Sequence, residues 1–210
     1  MISLQQNNQS IRIRLECDLI NTSSQRFDLV ALQRSITEQI QRVYHASIGK
    51  YSLDVAVSIK LLNSEYQCSP KKILFQIVDV ITGNNPAEAD FKGLRIKLNK
   101  AHVNDIITQQ NIRTIPHEIG HLMGWDHPHA NAQFESINLQ AHLLEQQLTE
   151  VQRQYNLMSQ SWYAQRAHVP LDRAMELTEQ QIELFVLSHQ SGKLNSNRHL
   201  KHFLFWKKIV

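Results

Sequence analysis

The stretch His117-Glu118-Ile119-Gly120-His121-Leu122-Met123-Gly124-Trp125-Asp126-His127 decides how the rest of the chain is read. It has the form H-E-x-x-H-x-x-G-x-x-H. Residues four apart on a helix share one face, so His117 and His121 can aim both imidazoles at one ion. Glu118 is turned one step round the helix. It therefore stands beside such an ion without ligating it, where a general base for a metal-activated water belongs. Gly124 can take the left-handed conformation that ends a helix and turns the chain back. The turn brings His127 to the same ion as a third ligand. Three neutral histidines leave the fourth tetrahedral position of a zinc ion open, which is the arrangement of a catalytic site.

Neighbouring groups compete for these roles. His129 follows across Pro128 and offers another imidazole, but the helix–glycine–histidine spacing favours His127. Asp126 either orients a ligating imidazole or faces solvent. His45, His102, His142, His168, His189, His199 and His202 have no partner spacing and are expected on the surface or in the core.

Upstream of the motif the pattern alternates between the periods of strand and helix. Ile11, Ile13 and Leu15 alternate with Arg12, Arg14 and Glu16, so residues Ile11 to Ile20 read as a first strand. Asp28 can cap a helix carrying Leu29, Leu32, Ile36, Ile40 and Val43, with Gly49 closing it. Leu53 to Leu61 alternates as a second strand. Ile73 to Ile81 is continuous enough for a central one, bounded by Pro70 and by Gly83-Asn84-Asn85-Pro86. Leu94, Ile96 and Leu98 give a further short strand. Asp105 to Asn111 suggests a separate turn. Pro116 lacks the amide of an interior helical position, so the histidine helix should begin near Arg113 or Thr114, or kink there.

Downstream, Ile137, Ala141, Leu144, Leu148, Val151 and Tyr155 repeat at spacings of four and three. This predicts one long helix over 132–155, packed on the domain or serving as a flap beside a cleft. Thr178-Glu179-Gln180-Gln181 has the form of a capping box before Ile182, Phe185, Val186 and His189, with Gly192 as the stop. The tail 193–210 mixes Arg198, Lys201, Lys207 and Lys208 with Phe203, Phe205 and Trp206. It reads as a segment packing its rings on the domain, or as a membrane-surface or partner contact.

The long motif resembles the signature of the metzincins, zinc endopeptidases in which it is followed by a methionine turn. Asn156-Leu157-Met158-Ser159 offers such a turn. The resemblance implies an α+β fold, with a twisted mixed sheet and two long helices in an upper subdomain (1–126). A mainly helical lower subdomain (127–192) would hold the turn and a C-terminal helix. It implies Zn2+ as cofactor, Met158 as the apolar floor beneath the ion, and hydrolysis of peptide bonds in protein substrates with Glu118 as general base. Residues after the methionine, Ser159, Gln160, Ser161, Trp162 and Tyr163, would line the pocket for the side chain following the cut. An antiparallel edge strand that pairs with the substrate should also exist, either a piece within Ala87 to Lys92 or the Gly93 to Asn99 strand itself. Some members place an assisting tyrosine two residues after the methionine. Gln160 stands there in this chain, so that assistance does not carry over, and whether Tyr163 or Tyr155 reaches the site is open.

Composition sets limits on these readings. A chain of 210 residues, 42% hydrophobic and 20% charged, has the make-up of one ordinary soluble domain, with room for two lobes around a cleft. There is no apolar run long enough for a transmembrane helix. The start, Met1-Ile2-Ser3-Leu4-Gln5, shows no secretory signal. This predicts an intracellular protein or one exported without a signal, unless a signal was removed. The net charge of +3 is spread along the chain with no nucleic-acid module. Cys17 and Cys68 allow one bridge at most, and free buried thiols are the expectation. Two further readings stand beside the protease: a zinc-binding interaction protein without turnover, and a zinc amidase acting on a cell-wall peptide.

Overall fold

The computed structural model describes residues 1–90, 94–125, 127, 148–159, 165, 168–192 and 194. These build a mixed α+β structure around one twisted sheet. Its strands are β1 (Ile2–Asn7), β2 (Ser10–Asn21), β3 (Ser47–Ile48), β4 (Tyr51–Leu61), β5 (Ile73–Val78), β6 (Ala87–Asp90) and β7 (Arg95–Asn99). The order is β3-β4-β2-β5-β7-β6, with β1 also paired to β2.

β2 organises the sheet because it is long enough to serve three neighbours. One side runs parallel to β4 from Ser10↔Ser52 to Leu19↔Leu61. The other side is shared. β1 folds back antiparallel from Asn7↔Ser10 to Ile2↔Leu15, and β5 continues parallel from Cys17↔Ile73. Burial follows this division. Ile11, Ile13 and Leu15 are buried while Arg12 and Arg14 are exposed, whereas Cys17 to Ile20 are buried without a break, as befits a strand covered on both faces.

Helix α1 (Leu29–Tyr44) lies across β4 and β2, burying Leu32, Ile36, Ile40 and Val43. The Asp28 carboxylate accepts from the amides of Val30 and Ala31 at its start. A short α2 (Val103–Ile107) and α3 (Thr114–Leu122) pack against α1, and α3 also meets β6. Beyond them come α4 (Glu150–Tyr155) and α5 (Glu179–Gln190). The Tyr44 hydroxyl donates to the Pro116 carbonyl at 2.8 Å, bracing α1 against the first turn of α3.

Several expectations need correcting. The N-terminal residues form β1, which was not anticipated. Ile2 and Leu4 alternate with polar residues before a turn at Asn8, whose φ of 54° is one asparagine tolerates. Gly49 does not close α1, which ends at Tyr44 with His45 as its cap. It turns the β3–β4 hairpin instead, with φ of 53°. The predicted long helix over 132–155 is not continuous. Thr149 is extended and opens α4 with its own capping box to Gln152, while residues 128–147 lie outside the described residues. Within the tail 193–210, only Leu194 is described. It is buried and its amide donates to Ser188 O.

Cys17 and Cys68 are both free thiols, and burial pushes the Cys17 thiol up to about 12. Among the described residues no helix is long and apolar enough to cross a membrane.

Phe75 is fully buried at the centre of β5. Its replacement by alanine should cost about 3–5 kcal/mol in urea unfolding; a loss under about 1 kcal/mol, the size of a surface change, would show that the sheet is packed otherwise.

Candidate metal centre

Helix α3 begins at Thr114 with Arg113 as N-cap, so Pro116 sits in the first turn, where a missing amide proton costs nothing. The Asn111 side chain accepts from the Thr114 amide, satisfying one of the helix's open donors. The other end closes with two reverse bonds: Gly124 N–H to His121 O, and Trp125 N–H to Gly120 O. Together they form the Schellman arrangement, which needs a left-handed residue at Gly124, found here at φ 94°. The turn is what returns the chain to α3 and carries His127 back beside His117 and His121.

The three imidazoles converge by their Nε2 atoms. His121 Nε2 lies 3.1 Å from His117 Nε2, and His127 Nε2 lies 3.3 Å from it. His117 and His121 are buried and His127 is half-buried. The outer nitrogens of the buried pair are fixed by carbonyls. His117 Nδ1 is 2.8 Å from Leu157 O, and His121 Nδ1 is 2.9 Å from Trp125 O. A carbonyl only accepts, so in each ring Nδ1 carries the proton and Nε2 presents its lone pair.

That assignment supplies a test of whether a cation fits. Burial holds the His117 pKa well below its ordinary value and brings His121 down to about 4, so both rings are neutral at pH 7. Two lone pairs then face each other at 3.1 Å with no proton between them, a repulsive arrangement unless a positive charge lies there. The spacing is right for one. Two nitrogens bound to a tetrahedral ion at 2.0–2.1 Å stand about 3.3 Å apart. His117, His121 and His127 can hold a metal ion.

Beneath the cluster passes the turn Asn156-Leu157-Met158-Ser159. Asn156 Oδ1 accepts from the Met158 amide, and Asn156 O from that of Ser159. Asn156 also exchanges two side-chain bonds with Gln181 on α5, at 2.9 and 3.1 Å. Gln181 closes the capping box with Thr178 and accepts the Trp125 indole N–H on its carbonyl. Met158 is fully buried against α3. A Cβ on Gly120 would lie 2.4 Å from Met158 Sδ and 2.9 Å from Trp125 Cε3. Gly120 is therefore the position that lets the methionine pack against α3.

Glu118, next to His117 on α3, is buried, and its Oε2 accepts from the Ala89 amide at 2.7 Å. Burial pushes its carboxyl up to about 7, while the Ala89 amide and the Arg113 charge pull the other way. Ala89 belongs to β6, which pairs antiparallel with β7 and ends the strand order among the described residues. The β7 strand is interior, between β5 and β6. Asn99 N–H bonds to Pro86 O, and antiparallel alternation then turns the Ala87 and Ala89 backbone groups outward.

Ser159 is fully buried, with its hydroxyl on Arg153 O and its carbonyl accepting from Arg113. Gln160, Tyr163, Asp126 and His129 lie outside the described residues. Sequence reasoning missed Arg113 and the Asn156–Gln181 pair as parts of this site. Arg113 precedes His117 by one helical turn, a spacing that places it on the ligand face and was available as a signal. The Ala89 amide is a backbone group and leaves no trace in the sequence. No family model matches the chain, and no curated protein matches it.

Gly120→Ala tests the packing of Met158 against α3. Alanine gains about 1 kcal/mol of helix propensity, but crowding two buried side chains costs about 1–3 kcal/mol. The variant should unfold at lower urea than the parent; a stabilised variant would show that Met158 does not sit against α3.

Proposed function

We propose that the chain is a zinc-dependent endopeptidase of metzincin type, hydrolysing peptide bonds in protein substrates. The carrying observation is the convergence of three Nε2 atoms, together with a buried carboxylate, Glu118, on the same helix next in sequence to His117. Imidazole donors suit zinc, copper, iron and nickel alike; the adjoining carboxylate favours zinc and hydrolysis. His117, His121 and His127 would hold the ion. When bound, zinc supplies a Lewis acid that makes water acidic and polarises a carbonyl.

The chain's own groups supply the rest. Glu118 Oε2 is engaged by the Ala89 amide, so Oε1 is the atom that takes a proton from the attacking water and passes it to the leaving amine. The outward carbonyl of Ala89 and the backbone of Ala87 offer an extended peptide a strand to pair with. Gly120 lets Met158 pack against the helix that carries His117 and His121. Residues Gln160 and Tyr163 stand as the pocket by resemblance to the metzincins.

Two variants test the reading. Glu118→Ala should retain zinc at the parent stoichiometry while new peptide termini in a treated proteome fall by about 100-fold or more; cleavage at the parent rate would remove Glu118 from the chemistry. A parent protein that binds zinc and cuts nothing would favour the silent interaction protein, and cutting confined to cell-wall peptides the amidase. His127→Ala should weaken zinc binding sharply in chelator competition and His129→Ala should not. Equal losses would reassign the third ligand.

A further inference from the structure

We propose that Arg113 is a positioning residue of the metal centre, acting on His117 through the Leu157 carbonyl. The inference rests on the metal-binding reading of the three histidines. Arg113 is the N-cap of α3, and its own carbonyl accepts the His117 amide at 3.0 Å. Its guanidinium crosses to the methionine-bearing turn and, among the described residues, bonds to three carbonyls: Nε to Ala174 O at 2.8 Å, Nη2 to Leu157 O at 2.6 Å, and Nη2 to Ser159 O. Among the described residues it makes no ion pair.

Leu157 O is the point where these contacts meet. It accepts from Arg113 and from His117 Nδ1 together, one donor for each lone pair. The carbonyl's direction sets the tautomer and the rotation of the His117 ring, and Arg113 sets the direction of the carbonyl. Arginine suits this task because its planar fork reaches several carbonyls in fixed geometry, which a lysine ammonium cannot reproduce. A buried guanidinium bonded to three carbonyls without a carboxylate is a poor way to stabilise a fold, since no opposite charge in contact offsets its desolvation among the described residues. Its geometry serves the ligand.

Charge and positioning predict opposite signs. As a bare positive charge near a divalent cation, Arg113 would weaken binding, and removing it would tighten it. As a positioner, it strengthens binding. Arg113→Lys keeps the charge and loses the fork, while Arg113→Met loses both and leaves no buried charge to hinder folding.

The experiment measures zinc affinity by competition with a chromophoric chelator, the visible spectrum of the cobalt(II) form, and urea unfolding of the metal-free chains. Both variants should bind zinc about 10–100-fold more weakly than the parent, with an altered cobalt spectrum. Should the lysine chain not fold, the methionine chain carries the comparison. Parent-like affinity and spectrum in a variant that is merely less stable would overturn the proposal, as would tighter binding by Arg113→Met. A parent chain that binds neither zinc nor cobalt would instead overturn the metal reading itself.

Discussion

The Leu157 carbonyl joins two parts of the chain that have no local reason to meet. From one side it receives the Nδ1–H of His117, and from the other the guanidinium of Arg113. A hydrogen bond of this kind contributes only about 1 kcal/mol net, because water would have served in the unfolded chain. Its weight comes from geometry. It fixes which nitrogen of His117 faces inward, and the lone pair there is what a cation needs. The equivalent anchor for His121 is Trp125 O, whose place follows from the Schellman turn at Gly124. The two anchors are not independent. Trp125 reaches Gln181 through its indole, Gln181 grips Asn156, and Asn156 shapes the turn that presents Leu157. The second bonds of His117 and His121 therefore trace back to the same few residues on α5 and the turn.

That closed circuit separates what the sequence could disclose from what it could not. Period, caps and breakers are local, and they located β2, α1, β4, β5, β7, the start of α3 and the capping box at Thr178. The spacing of His117, His121, Gly124 and His127 is local too, since a helix and one left-handed residue suffice to bring three rings together. Long-range pairing left no such mark. Nothing in Ala87 to Asp90 distinguishes an edge strand from a loop until β7 lies beside it. Gly49 was misplaced because a left-handed glycine ends helices and turns hairpins equally well, and only the pairing of Ser47 with Ser52 decides between them. The break at Thr149 was hidden because an apolar repeat in the sequence can run on through a capping residue.

Gly120 shows how the two kinds of information meet. Within the motif it is one of the unspecified positions, and in an isolated helix alanine would be preferred there. Its reason lies across the core, where the Met158 sulfur and the Trp125 ring occupy the volume a side chain would need. The close approach lets a polarisable, apolar side chain pack against the helix that carries His117 and His121. Burial depresses the basicity of His117 and His121, with desolvation the largest cause in both. That burial keeps the imidazoles in the neutral form that ligates metals.

The same burial acts on Glu118 in the opposite sense and bears on the choice between an enzyme and a silent zinc protein. Burying a carboxylate is unfavourable, and one amide from Ala89 offsets only part of that cost. A site that merely held metal would gain nothing from the group. His117 and His121 already take their orientation from the carbonyls of Leu157 and Trp125. A methionine or leucine at 118 would pack the same space without the penalty. The carboxylate is explained if the site must accept and release a proton beside a bound cation, and the Ala89 amide engages one of its oxygens, Oε2. The structure spends stability where hydrolysis would need it, and that local cost is the strongest physical argument for reading the centre as catalytic.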